Sequence, residues 1–252
     1  MSDGFQWEQS NNYHNEVLLV LLDVIIDADK NRIQFPDSLK SKIKKMAEAA
    51  LKTVKPNGHN PLFGDSDDTD IRDIMSRCAL VFDRSDFKYY GFDRLDFNTV
   101  WQTGTDGIEK YNKIDKIPPS FNNAFLSDSG NYILRENQTN ASNYLLFHNG
   151  YTGAGHAHAD KLHFDLMIKG RDVLVDAGRY TYLNNVQRRY IKSPKAHNVC
   201  LIDNKQYLNV SSQWETKNPA MAVQYPCFDN EYCTLIGGAH LGYLKSRNAF
   251  VE

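Results

Sequence analysis

From His14 to Asp27 the apolar residues Val17, Leu18, Leu21, Val24 and Ile25 return every three or four positions, a spacing that predicts a helix. Leu19, Val20 and Leu22 occupy its other faces, so this helix is expected to be buried on most sides. Pro36-Asp37-Ser38 predicts the start of a second helix with the stripe Ile43, Met46, Ala47 and Leu51, stopped by Pro56-Asn57-Gly58. Ile71, Ile74, Cys78 and Val81 predict a third, from Asp70 to Phe82. Residues 85–118 are aromatic and polar with little periodicity. From Pro118 onward short alternating runs appear: Tyr132–Arg135, Tyr144–His148, Leu162–Ile168, Val173–Asp176, Val199–Asp203 and Ala222–Tyr225. Turn residues separate them, Lys169-Gly170-Arg171-Asp172 among these, as antiparallel β structure requires. The pattern therefore predicts an α+β chain, helices before residue 117 and strands after it. No closing turn follows Phe250-Val251-Glu252, so the chain reads as a piece truncated at both ends.

Composition narrows the partners. A hydrophobic content of 41% over 252 residues supports one large or two modest globular domains. A net charge of −2 offers no basic footprint for nucleic acid, although a local basic cleft for an acidic polymer is compatible with it. The longest apolar run, Val17–Ile26, is interrupted by Asp23 and is too short to span a membrane. Cys78, Cys200, Cys227 and Cys233 lack CxxC spacing and read as packed thiols, with a Cys227–Cys233 bridge left open.

The chemistry concentrates in three segments. Gly155-His156-Ala157-His158-Ala159-Asp160 precedes a strand-like run. In extended chain, side chains two apart share a face, so His156 and His158 are expected to project together. His158, Asp176 and His197 supply two imidazoles and a carboxylate, a donor set suited to Zn²⁺ with a position left over. A turn-capping role for Asp176 and a satisfied half-buried state for His197 are the bland alternatives. Glu8 to His14 lies at a helix N-terminus; Ser10 or Asn11 suits a cap, and Tyr13 suits a proton-transfer role near positive charge. Gly178-Arg179-Tyr180-Thr181-Tyr182 and Arg188-Arg189-Tyr190 combine aromatics with guanidiniums, as a groove for sugar rings and carboxylates would. Gly64-Asp65-Ser66-Asp67-Asp68-Thr69-Asp70 lacks the glycine and terminal Glu of a calcium loop and reads as a polar cap for the third helix.

These motifs, in the order Asp3-Gly4-Phe5-Gln6-Trp7-Glu8-Gln9-Ser10…Tyr13-His14, Gly64-Asp65-Ser66-Asp67, Gly155–Asp160…Phe164-Asp165, Val175-Asp176-Ala177-Gly178-Arg179-Tyr180 and Ala196-His197-Asn198, closely resemble the heparinase II/III family of polysaccharide lyases, related alginate lyases included. The resemblance implies the C-terminal part of an incomplete α/α toroid over residues 1–117 and the N-terminal part of an antiparallel β-sandwich over 118–252. It implies cleavage of a uronate-containing polysaccharide, heparin or heparan type first, by β-elimination. Tyr13 then looks like the base and acid, and His156 like its assistant. His158, Asp176 and His197 look like a structural divalent-metal site, zinc by preference. Glu8, His14, Arg179, Tyr182, Arg189 and Tyr190 are the candidate substrate contacts. The Asn or His with which the family neutralises the uronate carboxylate has no counterpart here. A non-catalytic carbohydrate-binding module, an alginate lyase and a hydrolase using zinc-bound water are the competing readings.

Overall fold

The computed structural model describes residues 1–217, 220–244 and 251; Phe250 and Glu252 of the apparent closing strand lie outside them. Helices come first: α1 (Asn11–Lys30), α2 (Asp37–Thr53), α3 (Arg72–Phe82), α4 (Ser85–Tyr90) and α5 (Phe97–Lys113). Ser10 caps α1, its hydroxyl accepting from the Tyr13 amide. Leu18, Leu22 and Ile25 of α1 pack on Ile43, Met46, Ala47 and Leu51 of α2 and on Ile74, Met75 and Cys78 of α3. Each fully buried leucine in such a core contributes about 1.5–3 kcal/mol. The expected burial of α1 on most sides is corrected: Val17, Val20 and Val24 are exposed along one face.

The periodicity of residues 85–118 hid two helices. α5 starts at an Asp96 cap that accepts from the Thr99 amide, and it breaks at Gly104, whose φ is +67°. It buries only Thr99, Gly107 and Tyr111, while its apolar residues Phe97, Trp101 and Ile108 stand in solvent, so its buried face is not its apolar one.

A five-stranded antiparallel sheet follows, in the order β1 (Ala124–Leu126), β2 (Asn131–Arg135), β3 (Tyr144–His148), β4 (His163–Ile168) and β5 (Arg171–Leu174). A two-residue turn, Lys169-Gly170, joins β4 to β5; both residues take positive φ, +51° and +73°, the conformation that matches the twist of a hairpin. Along β4 the side chains alternate, with His163, Asp165 and Met167 buried and Phe164 and Ile168 exposed. The register pairs His148 with His163, so residues 149–162 leave and rejoin the sheet at one rung. Beyond β5 come α6 (Val186–Ile191) and three small antiparallel pairs: β6 (Asn209–Val210) with β7 (Thr216–Lys217), β8 (Ala222–Gln224) with β11 (Gly238–His240), and β9 (Phe228–Asp229) with β10 (Thr234–Leu235). The expected strand over Val199–Asp203 is corrected: the chain turns there through Asp203 and Asn204, at φ +52° and +54°, which no strand tolerates. All four cysteines are free thiols, Cys227 and Cys233 included.

The helical part and the sheet share a core. Phe5, Ala49 and Phe63 pack with Ile133, Tyr144, Leu146 and Met167. The Tyr144 hydroxyl donates to the Thr53 carbonyl at 2.8 Å, and the Arg135 guanidinium to the Lys52 carbonyl at 2.8 Å. Among the described residues no helix is long and apolar enough to cross a membrane.

Candidate active site and metal triad

The loop between β3 and β4 carries His156 and His158. It is not the extended segment that the alternation suggested: the Ala157 amide closes a turn on the Ala154 carbonyl at 3.0 Å. Both imidazoles nonetheless converge, on a carboxylate from a distant loop. Asp65 takes His156 Nδ1 at 3.0 Å on one oxygen and His158 Nε2 at 2.8 Å on the other. Arg188 of α6 completes the cluster with a two-pronged ion pair to Asp65, at 2.5 and 2.7 Å. Asp65, His158 and Arg188 are fully buried. Burial alone would raise the Asp65 pKa; hydrogen bonds from His158 and Arg188 outweigh it and hold the carboxyl well below the usual range. Lys192 pins the same loop by donating to the Gly155 carbonyl at 2.5 Å.

Tyr13, on the first turn of α1, lies flat on His156, with ring centroids 3.6 Å apart at 21°. Its hydroxyl meets that of Tyr182 at 2.7 Å. Burial and the Tyr13 hydroxyl both raise the Tyr182 pKa, so Tyr182 keeps its proton. Trp214 stacks on Tyr182 at 5.0 Å and meets the His156 ring edge-on at 5.5 Å. The Arg179 guanidinium sits 5.1 Å over the Tyr182 ring and pairs with Asp67. Two phenols, an imidazole and a guanidinium thus share one partly open wall, able to accept and return a proton beside positive charge.

Behind that wall, His158, Asp176 and His197 converge, their ligand atoms within 4.8 Å of one another and all three residues buried. Asp176 follows β5 and also accepts from the Gly178 amide at 2.9 Å, so the turn-capping role is real and coexists with the cluster. His197 arrives by a turn through Pro194–Ala196 rather than ahead of a strand, and its Nδ1 meets Asp176 at 2.8 Å. His158 Nδ1 and His197 Nε2 are buried without a hydrogen-bond partner among the described residues. Burial lowers the His158 pKa and so favours the neutral ring a metal requires. His163 backs the cluster, 3.4 Å from Asp176 and 2.9 Å from Asp165. The donor set and its orphaned nitrogens fit a divalent cation.

Comparison with known proteins follows the same outline. Residues 118–251 match the family described as "Heparinase II/III-like, C-terminal", and residues 1–89 match "Heparinase II/III N-terminus". The chain belongs to the heparinase II/III family. It is similar to the heparin-sulfate lyase of Pedobacter heparinus, 27% identical over 244 residues, covering 91% of this chain and 34% of that protein. The heparin-sulfate lyase of Bacteroides stercoris is 22% identical over 243 residues, with 91% and 34% covered. In fold it is similar to the crystal structure of heparan sulfate lyase from Pedobacter heparinus, with a TM-score of 0.75 at 24% identity over 96% of this chain and 35% of that one. This heparinase II/III chain spans about a third of the length of these relatives.

The remaining expected contacts of the heparinase II/III chain are dispersed. His14 faces the core: it stacks on Phe5 at 4.7 Å, accepts from the Gln6 amide through Nδ1 and meets the Met46 carbonyl through Nε2 at 3.0 Å. Fully buried, it has no route to a substrate, and its expected contact role is corrected. Glu8 is half-buried, with its backbone against Gly153. Arg189 bonds Asn184 at 2.9 Å and Tyr190 stands 53% exposed, both apart from the Tyr13 wall. Three residues contribute in ways that the sequence does not predict. Asp65 does not cap α3 as its loop suggests: the cap residue is Ile71, without a side-chain bond, and Asp70 accepts from the Arg72 amide. Arg188 was read as a groove arginine, although it is spent on Asp65. Nothing in the sequence pointed to Trp214.

Proposed function

We propose that this chain is the site-bearing part of a polysaccharide lyase that cleaves heparin- or heparan-type glycans by β-elimination. The relatives named heparin-sulfate lyases support the substrate class. The observation that carries the chemistry is the Tyr13 ring lying on His156, with its hydroxyl 2.7 Å from that of Tyr182. In this reading Tyr13 removes the uronate C5 proton and returns one to the departing C4 oxygen, assisted by His156. Arg179 and Tyr182 face the sugar carboxylate and the charge that develops as C5–H breaks. The helices belong to an α/α toroid (residues 1–117) and the sheet to a β-sandwich (118–252). His158, Asp176 and His197 would hold a zinc ion, which when bound supplies positive charge and cross-links the loops behind the site.

The test is the ultraviolet absorbance of the unsaturated uronate product. It is measured with heparan sulfate, heparosan, hyaluronan and alginate, on this chain and on a chain of the relatives' length that contains it. Absorbance should rise with a heparan-type polymer. Tyr13→Phe should lower the rate about 10²–10⁴-fold without changing stability, the range for a positioned acid–base group. Reducing ends without absorbance would instead identify a hydrolase; an unaffected Tyr13→Phe rate would remove Tyr13 from the mechanism.

A further inference from the structure

Asp65 sits where the wall and the triad meet. Its backbone amide donates to the His156 carbonyl at 2.9 Å, and its carbonyl accepts from the Ser10 hydroxyl at 2.9 Å, the cap of the helix that carries Tyr13. Gly64 makes this approach possible: at φ +68°, a Cβ there would lie 2.4 Å from the Gln9 carbonyl oxygen and 3.1 Å from that of His156. Each carboxylate oxygen takes one imidazole nitrogen and one guanidinium nitrogen. An ionised carboxylate only accepts, so both rings must donate to it. A neutral His158 then carries its hydrogen on Nε2 and leaves Nδ1, the buried orphan, as the lone pair that faces the triad. A neutral His156 carries its hydrogen on Nδ1 and keeps its lone pair on Nε2.

We propose that Asp65 is a positioning residue that sets opposite tautomers in two histidines, and so couples metal binding at His158 to the geometry of the Tyr13–His156 pair. The inference rests on the reading of the triad as a metal site and of His156 as an active-site group. Coupling of this kind is reciprocal: whatever orders His158 through Asp65 also orders His156. Arg188 holds the carboxylate in place through both oxygens, and outer partners of this type typically change metal affinity 10–100-fold when removed.

The experiment is nitrogen–proton correlation NMR of the imidazoles in the 252-residue chain, with zinc ion titrated against a chelating dye. In the wild-type chain His156 should show the Nδ1–H tautomer and His158 the Nε2–H tautomer, and zinc should shift the His156 ring signals. Asp65→Asn should weaken zinc binding about 10–100-fold, mix the His156 tautomers and abolish that shift. The same tautomer in both wild-type rings, or unchanged zinc affinity and His156 signals in Asp65→Asn, would overturn the proposal. The wild-type tautomers decide the matter even if Asp65→Asn does not fold. No zinc binding by the wild-type chain would overturn the metal half alone. Neither readout depends on glycan cleavage, so a chain without lyase activity but with these signatures would sink the functional reading and leave Asp65 in its role.

Discussion

Arg188→Met removes the one guanidinium paired with Asp65 while keeping an apolar stem of similar reach. Both side chains are 0% exposed, and the pair is made through two contacts at 2.5 and 2.7 Å. Deleting one partner of a buried ion pair leaves the other charge uncompensated, at a cost of about 3–5 kcal/mol. Arg188 also donates to the Gln213 carbonyl at 3.2 Å, and that acceptor loses its partner too. For a chain of this size the loss corresponds to a melting temperature about 6–20 °C lower. Urea unfolding followed by circular dichroism measures it, and the double variant with Asp65→Asn gives the sharper figure. Neutralising Asp65 removes the charge that Arg188→Met strands, so the double variant should lose about 2 kcal/mol less than the sum of the single variants. Arg188→Met costing under about 1 kcal/mol, the range of an exposed pair, or strict additivity in the double variant, would refute the buried-hub account. Arg189→Ala, its exposed neighbour, should stay within about 0.5 kcal/mol of wild type.

Three further outcomes are expected. Burial lowers the His14 pKa to about 4, against 6.5 in an unfolded chain. Between those values only the unfolded state binds the proton, so His14 contributes a fall in stability of about 3 kcal/mol as pH drops from 6.5 to 4; His148 and His240 act in the same window, so His14→Gln should make that part of the pH–stability profile less steep, and an unchanged profile would rule His14 out. Gly64→Ala should cost more than about 3 kcal/mol, because the clash with the Gln9 carbonyl adds to positive-φ strain, whereas Gly104→Ala, at φ +67° and ψ −159° with nothing within 4 Å, should cost about 1–3 kcal/mol from strain alone; equal losses on thermal melting would discount the clash. Leu22→Ala, in the helical core, should cost about 2–5 kcal/mol by urea denaturation, and a loss below 1 kcal/mol would mean that this core is not closed.

Much of this was legible in the residue pattern, for reasons that differ by element. Helix α2 announced itself because its buried side chains Ile43, Met46, Ala47 and Leu51 are also its apolar ones. α5 did not, because it buries a threonine, a glycine and a tyrosine. β3 and β4 followed their alternation within a residue or so, since each has one face in the core, and β2, buried on both faces, was legible as a short apolar run. His158, Asp176 and His197 were readable as a donor set by residue type, yet not the route that joins them, which runs through turns and loops. Asp65 was hidden by composition. Among Asp67, Asp68 and Asp70 it looks like one more solvated acid, and only the arrival of Arg188 and two imidazoles from far along the chain distinguishes it. His14 shows the reverse error, a polar residue beside a reactive one in sequence that the helix turns inward, onto Phe5 and Met46.

The pairing of His148 with His163 has a consequence for folding fidelity. His163 and Asp165 lie on the inner face of β4, and the loop with His156 and His158 closes on the same rung. A slip of one residue along that ladder would carry His163 and Asp165 out to solvent and shift one end of the loop against the other, misplacing His156 and His158 relative to Asp65. A mispaired form therefore cannot retain a partial site: histidine cluster and strand alignment stand or fall together. Any probe that recognises the assembled cluster then counts correctly threaded molecules, and can serve as a proofreading assay during refolding.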